Sequence, residues 1–212
     1  MPEFVLYGTP GWGSAIVEAQ LDWYGLDYRY ELVGDLFASS EAREKLRAHN
    51  PILQVPTLVL PDGNVMSESA AITLHLADLV HRTDLVPGPS ARERADFLRW
   101  LVFLVANIYP TFTYADLPER FVKTAGASAG FRAEVDAYAQ RLWRVVEEAA
   151  GAPHFLGERF SALDVYLAVM TRWRPKRRWF DAETPKIAAI VAHADREPKL
   201  AAMITRNFAP SQ

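Results

Sequence analysis

The sequence contains no cysteine. That excludes disulfides, thiolate metal sites, a cysteine nucleophile and a protein-borne dithiol couple. Any thiol chemistry has to arrive with a ligand. The five histidines, His49, His75, His81, His154 and His193, make no ligand spacing such as H-E-x-x-H, so no metal is expected. No apolar run reaches the roughly 18 residues of a spanning helix. The start, "MPEFVLYG", lacks a basic region followed by a long apolar core, so the protein is read as cytoplasmic. Charge of one sign is also scarce. A formal net charge of −3 gives no reason to expect nucleic acid or an anionic membrane as a partner.

What the chain does have is apolar residues, 50% of its 212 positions, enough for one large core or two small ones. Residues 1–82 mix strand and helix signals. "EFVLY" is short, apolar and bounded by Gly8, a buried strand. A helical spacing runs from Ala15 to Tyr24 and closes at Gly25. "DYRYELV" alternates Tyr28, Tyr30 and Leu32 with Arg29 and Glu31, a half-buried strand. A polar helix over Ser40 to Ala48 follows, then "TLVL", "PDGN" and "VM" as a hairpin, then a helix over Ser67 to Val80. The order is β-α-β-α-β-β-α. Pro87, Gly88 and Pro89 supply a linker. Beyond it only helices are expected. Ser90 and Glu93 are spaced as a capping box for a helix running to about Tyr109. Further helices are expected over Ala133–Ala149, Ala162–Trp173, Pro185–Ala194 and Pro198–Asn207. A small α/β domain, residues 1–82, therefore precedes an all-α domain, residues 90–212.

Three stretches carry chemical information. In "NPILQVPTLVL", Pro56 opens a strand, where no amide partner is needed. The Val55–Pro56 bond is either trans or cis, the cis form costing only about 0.5–1 kcal/mol before proline. In "MSESAAITLHLADL", Ser67 reads as a helix N-cap, with Glu68 and Ser69 in the first turn. Such a helix start offers free amides to a carboxylate, and Glu68 is placed to face an ammonium group. In "YGTPGWGSAIVEAQ", Gly11 and Gly13 suggest a dinucleotide fingerprint, but Ile16 stands where its third glycine belongs. Tyr7, Thr9 and Ser14 place hydroxyls around that turn.

Taken together and in this order, these stretches resemble the glutathione transferase superfamily over essentially the whole chain. "QVPTLVLPDGNVMSESAAITLHLAD" is similar to that family's Val-cisPro, hairpin and Glu-Ser helix start. "FSALDVYLAVM" is similar to the capping motif on its core helix, with Ser161 and Asp164 as the box and Phe160 stapling onto Val165. The resemblance implies an α+β fold, a thioredoxin-like domain followed by an all-helical one, and usually a homodimer. It implies glutathione as co-substrate, with a small hydrophobic electrophile conjugated or reduced. Val55, beside a cis Pro56, would pair with the cysteinyl unit. Glu68 and Ser69 would hold the γ-glutamyl end, and Gln54 would lie beside the peptide. The sulfur would sit over Thr9 to Ser14.

A free thiol, with a pKa of about 8.5–9, is only a few per cent thiolate at neutral pH. A donor selective for the thiolate contributes about 1.5–3 kcal/mol, or roughly one to two pKa units. Family classes supply a Tyr, Ser or Cys for this purpose. Gly11 and Gly13 stand at the usual Ser and Cys places here, so Ser14 is the first candidate donor, followed by Thr9, Tyr7 and a backbone N–H around Trp12 to Ser14. Trp12 either walls the electrophile pocket, caps the thiol or packs as a surface tryptophan. Tyr109, Phe112 and Tyr114, around a helix break at Pro110, line an apolar pocket or a core. The basic "TRWRPKRRWF" is expected as a solvated loop. The competing reading is a non-catalytic ligand-binding or protein-interaction module on the same fold.

Overall fold

The computed structural model describes residues 3–209. It forms two compact units, one running to Val86 and taking in the chain from Ala194, the other Pro87–His193. Residues 1–2 and 210–212 of the expected domains lie outside the described residues.

The first unit runs β1 (Phe4–Gly8), α1 (Ser14–Tyr24), β2 (Tyr28–Leu32), α2 (Ser40–Arg47), β3 (Thr57–Val59), β4 (Val65–Met66) and α3 (Ser69–Leu79). The sheet order is β2-β1-β3-β4, with β1 parallel to β2 and the other pairs antiparallel. This is the thioredoxin-like arrangement expected. Helix α1 ends at Gly25, whose φ of 67° is the left-handed conformation that closes a helix. On the side of α2, Val33, Leu36, Ala42, Leu46 and Val55 form a cluster against which Tyr7, Trp12 and Leu53 pack.

Three expectations change. Leu32, read onto the buried face of β2, is 57% exposed. Its strand lies at the sheet edge, and its partner across the ladder, Gly8, has no side chain to cover it. Ser67 does not cap α3: the helix begins at Ser69, and the capping position is Glu68, at φ 66° and without a side-chain bond. Ser90 and Glu93 form no capping box either. The segment makes two tight turns, Ala91 to Gly88 and Arg94 to Ala91, before the helix begins.

The second unit holds α4 (Arg94–Phe103), a π-helical stretch (Leu104–Ile108), α5 (Tyr109–Asp116), a 3-10 turn (Pro118–Arg120), α6 (Ser128–Ala149), α7 (Ala162–Met170), α8 (Arg177–Glu183) and α9 (Pro185–Ala194). Pro110 has no amide to give its helix. The chain widens to π geometry just before it, the form in which helices absorb such irregularities. Every residue of α7 is buried, and Trp143 packs edge-on to Phe180 at 4.9 Å. The basic stretch expected as a loop runs into α8 from Arg177 onward.

Sequence reading assigns the last helix, α10 (Pro198–Phe208), to the helical domain, but it lies in the first unit. Leu200 and Met203 bury its apolar face, and polar bonds tie it to α1. Arg206 Nε donates to Glu18 at 2.5 Å, its Nη2 bonds Asp22, and Asn207 Nδ2 donates to Glu18 at 2.7 Å. Glu18 is nearly fully buried on α1, and a buried carboxylate needs such partners. Burial works against the Arg206 charge, yet its bonds to Glu18 and Asp22 raise its pKa above the ordinary arginine value. Among the described residues no helix is long and apolar enough to cross a membrane.

Candidate functional site

Strand register brings three segments to one end of the sheet. Tyr7 pairs with Thr57, so the end of β1 lies beside the start of β3. Leu58 pairs with Met66, so the residues before β3 and those after β4 extend side by side. The turn after Gly8, the Gln54–Pro56 approach and the Glu68–Ser69 helix start therefore share a rim.

The turn itself is built from Thr9-Pro10-Gly11-Trp12. The Trp12 amide donates to the Thr9 carbonyl at 3.0 Å, and Gly11 has φ 78°. Proline second and a positive-φ glycine third are the signature of a type II turn. Ser14 Oγ then ties both ends of Thr9: it accepts from the Thr9 amide and donates to the Thr9 carbonyl, each at 3.1 Å. Ser14 is fully buried. A Cβ on Gly8 would stand 2.6 Å from Ser14 Oγ and from the Tyr30 hydroxyl, so only glycine fits between them. Burial pushes the Tyr30 phenol up to about 12, which keeps it protonated beside Ser14.

The other two hydroxyls differ in access. Thr9 is half-buried and donates its Oγ1 proton to the Gly34 carbonyl at 2.7 Å. Tyr7 is half-buried and shares a 2.9 Å hydrogen bond with His49 Nε2, the two rings 4.6 Å apart. Trp12 lies 4.9 Å from Phe37, ring to ring, within the first unit.

At the second segment the Val55–Pro56 bond is cis. Gln54 is exposed, whereas Val55 and Pro56 are buried. A residue that sequence reading passed over holds this loop. Asn50, nearly fully buried, donates to the Gln54 carbonyl and to Thr57 Oγ1, each at 3.0 Å, and accepts from the Ile52 amide at 3.0 Å. The one signal for it was an asparagine directly before Pro51, a common turn opener. At the third segment Glu68 is exposed and Ser69 is buried, its carbonyl accepting from Thr73 Oγ1 at 2.9 Å. Non-glycine residues at positive φ are uncommon and concentrate at functional sites. Two of them, Leu53 and Glu68, flank this rim.

In the second unit the three expected pocket residues separate. Tyr109 and Phe112 meet Trp173 edge-on, at 5.4 and 5.1 Å. Tyr114 instead packs on Phe121 at 4.9 Å and lines a 430 Å³ pocket with Phe121, Phe131 and Tyr138. The basic stretch is largely occupied by structure. Arg172 and Arg177 donate to the Ala168 carbonyl near the end of α7, and Arg174 pairs with Asp116 at 2.7 Å and Asp136 at 3.2 Å. Asp164 accepts from the Ser161 amide at 2.8 Å and the Phe155 amide at 2.9 Å. Burial raises its carboxyl above the usual range, those two amides pulling the other way. Among the described residues no group of three or more His, Cys, Asp or Glu is placed to hold a metal ion.

Comparison with known proteins adds three findings. The family model "Glutathione S-transferase, N-terminal domain" matches residues 14–79. An uncharacterized GST-like protein of Escherichia coli K12, YncG, is 38% identical over 203 residues, which is 95% of this chain and 97% of that protein. Among solved structures, a glutathione transferase homologue from Sulfitobacter with bound glutathione superposes with a TM-score of 0.84 at 24% identity, covering 99% of this chain and 100% of that one. A sphingomonad glutathione S-transferase complexed with glutathione reaches 0.78 at 26% identity, covering 97% of this chain and 100% of that one.

Proposed function

The chain belongs to the glutathione transferase superfamily, and from that membership we propose that its first unit binds glutathione and that the protein is a glutathione-dependent transferase. The observation that carries this is the shared rim: the turn after β1, the Val55–Pro56 approach and the Glu68 helix start meet at one end of one sheet. The glutathione-bound sphingomonad enzyme supports the same ligand here.

In this reading the backbone of Val55 pairs with the cysteinyl unit as an added strand would. Glu68 faces the γ-glutamyl ammonium, and the amides at the start of α3, with Ser69, receive its carboxylate. Gln54, exposed, lies beside the peptide. The sulfur rests on the Thr9–Ser14 turn. Among the three hydroxyls Thr9 is the best placed donor. It is half-exposed, and its proton is given only to a neutral carbonyl, for which an anionic thiolate is a stronger competitor. Ser14 is enclosed and spends its proton on Thr9, and Tyr7 is engaged by His49. The second substrate is a small hydrophobic electrophile, conjugated to or reduced by the thiolate, in a homodimeric cytoplasmic protein. The aromatic residues Tyr109, Phe112 and Tyr114 are candidates for its contacts.

Thermal unfolding with and without millimolar glutathione tests the reading. Ligand that binds only the folded state raises the midpoint, and an unchanged midpoint contradicts it. Midpoint elevation without turnover of halonitroarenes, epoxides, organic peroxides or mixed glutathione disulfides would favour a binding module instead.

A further inference from the structure

We infer that Asn207, near the end of the C-terminal helix, is a positioning residue for thiol activation, because it sets the orientation of the turn on which the sulfur is proposed to rest. The inference depends on the glutathione reading above and names a control over that same site.

Asn207 bridges two parts of the first unit. Its Oδ1 accepts from the Gly11 amide at 3.0 Å, while its Nδ2 donates to Glu18 at 2.7 Å and to the Met203 carbonyl at 3.0 Å. All of its principal polar capacity is thus assigned, which also fixes which end of the amide faces Gly11. Next to it, Arg206 clamps the same helix to Glu18 and Asp22. The acceptor presented to Gly11 is therefore held from two sides.

What that acceptor controls follows from turn geometry. Proline at the second position suits type I and type II turns alike, and the two differ by a flip of the central peptide. Here that peptide is Pro10–Gly11, and its N–H is the one Asn207 takes. The turn's own bond, Trp12 to Thr9, is compatible with either form. The contact with Asn207 selects the form in which Gly11 has φ 78°. Thr9, the proposed sulfur donor, is the first residue of this turn. The positive φ that results accounts for glycine at this position. A Cβ on Gly11 would lie 3.4 Å from the Asn207 carbonyl oxygen, on a backbone that disfavours side chains.

The test is the thiol pKa of bound glutathione, followed by thiolate absorbance in wild type, Asn207→Leu and Met203→Ala. Met203 is fully buried on the same helix, so its truncation loosens the helix without removing the Gly11 contact. Asn207→Leu should raise the bound thiol's pKa by about one unit, a loss of thiolate of about three- to ninefold at neutral pH, with kcat falling more than KM rises. Met203→Ala should lower the unfolding midpoint and leave that pKa in place. Where Asn207→Leu gives no folded protein, Asn207→Ala removes all three side-chain bonds without adding bulk and carries the same expectation. A wild-type pKa depression that survives in the Asn207 variant overturns this inference alone. Absence of glutathione binding by the wild type overturns the functional reading, and this inference with it.

Discussion

Ser14 Oγ lies 3.1 Å from both the amide nitrogen and the carbonyl oxygen of Thr9, so one hydroxyl closes the turn in both directions. The neighbouring hydroxyl, on Thr9, is turned outward to the Gly34 carbonyl. Their substitution should therefore separate folding from chemistry. Ser14→Ala leaves the Thr9 amide without its acceptor, the Thr9 carbonyl keeping the Trp12 amide, and should cost about 1–3 kcal/mol of stability in urea unfolding. Thr9→Val should cost less stability, about 0.5–1.5 kcal/mol, for the one bond to Gly34. Its larger effect should be on turnover, kcat/KM falling about 10–100-fold as a thiolate donor worth one to two pKa units is lost.

Glu68 combines an exposed side chain with a backbone that favours glycine. Glu68→Gly should relieve that backbone and raise stability by about 1 kcal/mol. The same change should weaken glutathione binding about 10–100-fold, the worth of a charge-assisted hydrogen bond of about 1.5–3 kcal/mol. Calorimetry of folding and of binding on one sample would show the two moving in opposite directions. Unchanged affinity would leave the strained conformation without the proposed role.

Gly11→Ser places a hydroxyl on the turn proposed to hold the sulfur. It should not create a better enzyme. The left-handed backbone costs a residue with a side chain about 1–2 kcal/mol, even though a Cβ there would stand at an ordinary contact distance, 3.4 Å, from the Asn207 carbonyl oxygen. Thermal unfolding should show the loss, and the thiol pKa of bound glutathione should rise rather than fall.

Asp164 reads as a stray acid in the apolar run "LDVYLAVM", but both of its oxygens face donors. Asp164→Asn should be nearly as damaging as Asp164→Ala, because an amide NH2 would then oppose the Ser161 or Phe155 amide. A capping loss of about 0.5–2 kcal/mol is expected from the Ser161 side alone. Turnover per folded molecule should be unchanged in both. Full stability with abolished turnover would move Asp164 into the active site.

The regular elements were legible because their signals are local. The short apolar run of β1, the glycine closing α1 and the Ser161–Asp164 spacing each depend on a few adjacent residues. The Thr57–Met66 hairpin was legible for the same reason, its turn residues lying between two short apolar runs. What escaped was set by distant partners. Nothing near Asn207 in the chain says that it meets Gly11, and nothing near His49 says that it meets Tyr7. Ser67 looked like a helix cap, but the backbone at Glu68 takes a positive φ that no propensity favours. Glycine at positions 11 and 13 looked like a missing catalytic group. At Gly11 the structure shows instead a turn whose positive φ disfavours a side chain.

The turn from Thr9 to Ser14 is proposed to hold and activate the sulfur of glutathione. Ultraviolet difference titration of the wild-type complex, paired with Thr9→Val, tests it most directly. Binding should be saturable, with a bound thiol pKa about one to two units below that of free glutathione and most of the difference lost in Thr9→Val. Binding with an undisplaced thiol pKa, or a depression that Thr9→Val leaves intact, would contradict it.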